Sequence, residues 1–262
     1  MKKLAAVLGA AILGLGLVAG CDQSSNSGDS RSRGGALDNG RGSNGDGDQI
    51  DVEQWFDDYL VATSQMTTVH AAIDQEISLS GQNVTDQNVK AHMEIDMDAT
   101  KSAYSMTITM DLTGMITEVV SAEAVIIDGT TYISIDGEVR EMSIDELGLS
   151  ESDLNPAASI KQQRNSITKV ELVGSEKVGG VETNHYIVTH DVAEMNKMLG
   201  SKTLEGEVQT IETDFWLDSD MRMIKYRSIM TVKADAAGSI GTVTLEAVYS
   251  DYGKPVTITA PK

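Results

Sequence analysis

The chain has one cysteine, Cys21, which closes the stretch Leu17-Val18-Ala19-Gly20-Cys21. A lone thiol in an exported chain has no internal disulfide partner, so covalent modification is the chemistry that accounts for it. The other groups able to do chemistry are scattered. Of His70, His92, His185 and His190, only the last two lie close in sequence, five residues apart on a predicted strand that sends their rings to opposite faces, where they cannot easily share a metal. Asn44, Asp46 and Asp48 have the spacing that begins a calcium loop, but Gln49 stands where the turn needs Gly and no bidentate Glu follows. There is no HExxH, nucleophile elbow or phosphate loop. The abundant carboxylates sit mostly at polar-face positions that serve solubility. The sequence therefore predicts no catalytic residues, no metal site and no cofactor, and a protein that is not an enzyme.

The residues ahead of Cys21 are those needed to deliver a thiol to a membrane. Lys2 and Lys3 form a short positive region, residues 4–18 an apolar run interrupted by Gly9, Gly14 and Gly16, and small residues lead into the cysteine. The run is shorter than the ~20 residues of a spanning helix, and no second such run follows. The pattern resembles the lipobox of bacterial lipoproteins, which implies a diacylglycerol on the Cys21 thiol and cleavage after Gly20. Residues 1–20 then read as a signal peptide and Cys21 as the lipid anchor. Two or more acyl chains hold a protein stably where one does not. The expected location is the outer, extracytoplasmic face of the cell membrane.

Forty acidic residues against twenty basic ones give a net charge of −20, and losing Lys2 and Lys3 takes it to −22. Such a chain is a poor ligand for nucleic acid, and it is repelled by anionic headgroups, so the folded body should stand off the bilayer. Residues 21–49 supply the stand-off. After Cys21 they are almost wholly Gly, Ser, Asn and Asp, with Leu37 the only large apolar side chain, and nothing there can bury a core. About 28 residues of this composition span on the order of 30 Å.

From residue 50 the pattern changes. Val52, Trp55, Phe56, Tyr59, Leu60 and Met66 recur at helical spacing behind Asp51, which with Gln54 forms a capping box. The period then switches to two. Alternation over residues 69–79, 89–97, 104–112, 119–127 and 132–135 predicts antiparallel strands with one wet face, and Asp128-Gly129 predicts a hairpin turn. A capped turn at Ser143 to Glu146 and a helix beginning at Pro156 and running to about residue 165 interrupt the strands. Strands are predicted again at 168–173, 181–190, 208–217, 221–232, 240–250 and 256–259, with one helix at 192–199 capped by Asp191. With no disulfide available, burial alone must stabilise this domain, residues 50–262.

Several segments, in order, resemble one family. VIIDGTTYISIDG at 125–137, GVETNHYIV at 180–188, DFWLD at 214–218 and YGKPVTITAP at 252–261 are similar to segments of the LppX/LprAFG lipoproteins of actinobacteria. The resemblance implies a LolA-like α+β fold, a bent antiparallel half-barrel of about ten strands, with a few helices across its concave face and an apolar cavity between. It also implies a lipid or glycolipid ligand that the protein carries or chaperones. The family offers no catalytic residues to transfer. Thirteen Met against two Trp and two Phe suit a ligand of variable shape, because Met is flexible. Met93, Ile95, Met97, Tyr104, Met106, Ile108 and Met110 are the expected lining of such a cavity; from the residues alone, filling a core remains open for the Met positions. The second function class is a surface lipoprotein with a closed core that binds an envelope protein as sensor or assembly factor; a monomer is expected in either class.

Overall fold

The computed structural model describes residues 50–81, 84–111, 119–135, 138–143, 156–199, 207–233 and 239–261. Cys21, the tether and the turn expected after Ser143 lie outside them. Eleven strands form one open antiparallel sheet: β1 (Thr68–Gly81), β2 (Val84–Asp98), β3 (Ala103–Asp111), β4 (Val119–Ile127), β5 (Thr130–Ile135), β6 (Glu138–Ser143), β7 (Ile167–Val178), β8 (Val181–His190), β9 (Glu207–Leu217), β10 (Met223–Lys233) and β11 (Ile240–Ser250). The spatial order is β6-β5-β4-β3-β2-β1-β11-β10-β9-β8-β7. The first and last strands meet in the middle, and from that seam one meander runs outward to β6 and the other to β7. The expected fold class is the one observed, with eleven strands rather than about ten.

Local chemistry explains the hairpins. Asp128 and Gly129 both take positive φ (51° and 75°), as do Gly179 and Gly180 (58° and 87°), and two consecutive left-handed residues match the twist of the flanking strands. Strand β6 was not expected: EVREMS has too few apolar residues to show alternation, and it becomes a strand only by pairing with β5. Its charges, with Lys169, Glu171, Glu176 and Lys177 on β7, suit the two open edges of the sheet. Conversely, 256–259 is not a strand. β1 is already paired with β2 and β11 on its two sides, so the tail finds no free ladder there and crosses the start of β1, Thr68 donating through Oγ1 to Lys254 O (2.8 Å).

Three described helices accompany the sheet: α1 (Val52–Ser64), α2 (Pro156–Gln163), continued by a 3-10 turn at Arg164–Ser166, and α3 (Val192–Leu199). Asp51 caps α1, its carboxylate accepting from the N–H groups of Glu53 and Gln54. The reciprocal half of the expected capping box does not form, because the Gln54 amide donates to Asp58 at 2.8 Å instead. Asp191 caps α3 in the same way. Arg164 fastens the 3-10 turn to α1 by pairing with Glu53 and with Asp57 (2.9 Å), its guanidinium 5.5 Å over Phe56.

Candidate functional site

Strands β1 to β5 put their apolar residues on one face in three cross-strand rows. The first is Val69, Met97, Tyr104 and Ile126; the second Ala71, Ile95, Met106, Ala124 and Ile133; the third Ile73, Met93, Ile108 and Ala122. The expected lining residues are therefore brought together by register: Met93 opposes Ile108, Ile95 opposes Met106, Met97 opposes Tyr104, and Met110 stands opposite Ala91. Their burial differs. Met93 and Ile108 have no exposed surface and Met97 is buried, whereas Ile95, Tyr104 and Met106 are half-buried. Short and flexible side chains dominate this face, with Ala71, Ala91, Ala122 and Ala124 between the methionines.

At the other half of the sheet α1 lays its aromatic stripe on β8 and β9. Trp55 packs edge-on to Tyr186 (5.7 Å) and Phe215 (5.6 Å), Tyr59 meets Phe215 at 5.7 Å, and Phe215 meets Tyr226 on β10 at 5.1 Å. These contacts are the packing expected of the stripe, and each such pair adds about 0.5–1.5 kcal/mol to the area it buries. The two regions belong to one continuous apolar cluster. Polar atoms within it are few and neutral. Burial raises the phenol pKa values of Tyr59, Tyr104, Tyr226 (to about 12), Tyr249 and Tyr252, so all five stay protonated. Trp55 Nε1 and Tyr249 Oη are buried without a hydrogen-bond partner among the described residues. Such a surface offers dispersion and apolar contact, with two donors left over; it has no charge with which to drive a reaction.

Two polar clusters escaped the sequence. In one, Ser166 Oγ lies 3.0 Å from His190 Nδ1, and His190 Nε2 lies 2.8 Å from Thr213 Oγ1. A serine beside an imidazole is a nucleophile–base arrangement. Here it works as a staple: all three residues are buried, the ring rests on a hydroxyl rather than a carboxylate, and burial lowers the His190 pKa to about 4, far below that of a useful base at neutral pH. In the other, strand pairing brings His70 and His92, 22 residues apart in sequence, onto the same carboxylate, Glu94. As expected, His185 and His190 project to opposite faces; His185 stacks at 4.2 Å on Trp216, which Lys225 covers from 5.0 Å.

No protein-family model matches the chain, and no curated protein matches it in sequence. It is similar to solved structures bearing names of the family its sequence resembles. The lipoprotein LppX of Mycobacterium tuberculosis is 14% identical, with 79% of this chain and 98% of that one covered and a TM-score of 0.46. LprF of Mycobacterium bovis is 14% identical, with 80% and 96% covered and a TM-score of 0.49. A LolA-superfamily protein of Nitrosomonas europaea is 8% identical, with 78% and 93% covered and a TM-score of 0.28.

Proposed function

We propose that this chain is a membrane-anchored envelope lipoprotein of the LppX/LprAFG type, held by acyl chains on Cys21, whose domain from residue 50 onward receives a lipid or glycolipid against the apolar face of its sheet and carries or chaperones it. The observation that carries the reading is the composition of that face. Its rows across β1 to β5 are continuous and apolar, alanines alternating with flexible methionines, and Ile95, Tyr104 and Met106 keep part of their surface open. Short side chains leave depth, and Met adjusts to chains of differing length and saturation. The acyl groups would lie along Ile95, Met97, Tyr104 and Met106, reaching Met93 and Ile108 would take them deeper into the same rows, and Met110 continues the face along β3. No bond is made or broken, and neither cofactor nor metal takes part. The protein acts as a monomer on the outer face of the cell membrane.

A second reading is favoured by one observation: Met93 and Ile108 are completely buried. A core already closed at its centre suits a protein-binding envelope lipoprotein that uses its outer surface. Native mass spectrometry of the purified protein before and after organic extraction separates the two. Adducts of lipid mass that extraction removes support the carrier. An unliganded protein that takes up no lipid from mixed vesicles or micelles refutes it and leaves the protein-binding role.

A further inference from the structure

We propose that the outer face of β1 and β2 carries a proton-operated brace, in which His70 and His92 share Glu94 and are held at the ends by Asp96 and Asp74. It is set when the His92 ring is doubly protonated and released when that ring loses a proton. The five side chains form one line. Asp96 Oδ1 is 2.9 Å from His70 Nδ1, His70 Nε2 is 2.9 Å from Glu94 Oε2, Glu94 Oε1 is 2.9 Å from His92 Nε2, and His92 Nδ1 is 2.7 Å from Asp74 Oδ1. Register produces it: His70 opposes Asp96, Asp74 opposes His92, and between them Glu94 opposes Ala72, whose methyl group leaves the carboxylate room to reach both rings diagonally.

A neutral imidazole has one N–H, so His92, with Nδ1 on Asp74 and Nε2 on Glu94, must be imidazolium to donate in both hydrogen bonds. In that state His92 is a cation between Asp74 on the neighbouring strand and Glu94 on its own strand, and both contacts are charge-assisted hydrogen bonds. Once a ring is neutral, one of its nitrogens presents a lone pair to a carboxylate and that contact turns repulsive. The hydrogen bonds from Asp74 and then Glu94 raise the His92 pKa, in the direction the geometry requires. The carboxylates around the row are each paired with a lysine, Glu246 on β11, opposite Asp74, with Lys225, Asp251 after β11 with Lys254, and Glu76 with Lys90, so the uncompensated acids facing the two rings are Asp74, Glu94 and Asp96; β3 contributes only Ser105, Thr107 and Thr109 opposite Asp96, Glu94 and His92. The occupant is the proton. Among the described residues no three such groups are placed to hold a metal ion.

The brace ties β2 to β1, one of the two strands that form the seam, so its setting bears on the stiffness of the sheet. The test is the pH titration of the histidine ring signals by NMR, in the purified protein and in its Glu94→Gln and Asp74→Asn variants. It is joined by amide hydrogen exchange of β1 and β2 at pH 6 and pH 8.5, corrected for intrinsic rates. The expected result is a His92 midpoint above the ordinary imidazole value, moved down by either substitution, and protection of β1 and β2 lower at the higher pH. All these side chains are partly exposed, so the variants should fold. An unshifted His92 titration in Glu94→Gln, or equal protection at the two pH values, would overturn the proposal.

Discussion

Met93 and Ile108 stand directly opposite one another on β2 and β3, and neither has any exposed surface. The neighbouring pair in the next row, Ile95 and Met106, is only half-buried. Within two residues along the same strands, the apolar face passes from closed packing to partial exposure, so a bulky probe at one pair should behave unlike the same probe at the other.

Replacing Ile108 with Trp should force extra volume into filled space and cost ~1–3 kcal/mol in denaturant unfolding. Met106→Trp should leave stability within about 1 kcal/mol, since part of the added ring can occupy open space, and should lower bound lipid as measured by mass spectrometry. Destabilisation by Met106→Trp with unchanged lipid content would remove the carrier role from this row.

Phe215 touches Trp55, Tyr59 and Tyr226 at once, and it joins α1 to the sheet. Truncation to Ala should destabilise the protein by about 3–5 kcal/mol, the usual loss for a buried ring. The same truncation at Val61, an exposed residue on the same helix, should cost under about 0.5 kcal/mol. Comparable losses at the two positions would mean that α1 does not hold the sheet through its aromatic stripe.

His190 makes stability depend on pH on the acid side. Its folded pKa of about 4 lies below the ordinary imidazole value near 6.5, so the unfolded chain binds a proton that the folded one refuses. The stabilisation is complete above about pH 6.5 and is lost as pH falls towards 4, by on the order of 3 kcal/mol. His190→Gln should flatten that part of the stability curve, at the cost of a weaker staple to Ser166 and Thr213. A curve of unchanged slope in the variant would show that other groups govern acid unfolding.

Cys21→Ser should leave the folded domain intact and release it from membranes, because α1 and the sheet begin after residue 50. Fractionation after a salt wash is the measurement. A serine variant that still sediments with membranes would place the anchor elsewhere.

Periodicity and residue type along the chain were sufficient to determine a great deal: ten of the eleven described strands, the turn at Asp128-Gly129, the Asp51 and Asp191 caps, and the side of β2 and β3 on which Met93, Met97 and Ile108 lie. These features depend on residues a few positions apart, and side-chain alternation at period two needs no knowledge of the neighbouring strand. What pairs with what depends on hydrogen bonds between distant residues. Glu138–Ser143 is a strand because β5 offers an edge, and 256–259 is not because both sides of β1 are taken. The closed packing of Met93 on Ile108 and the meeting of His70 with His92 on Glu94 come from register across strands, where a shift of one residue would turn each of those side chains to the other face, and the Ser166–His190–Thr213 staple needs the 3-10 turn brought beside β8 and β9. Tertiary structure alone decided them, because register is set by the whole sheet and is written in no single segment.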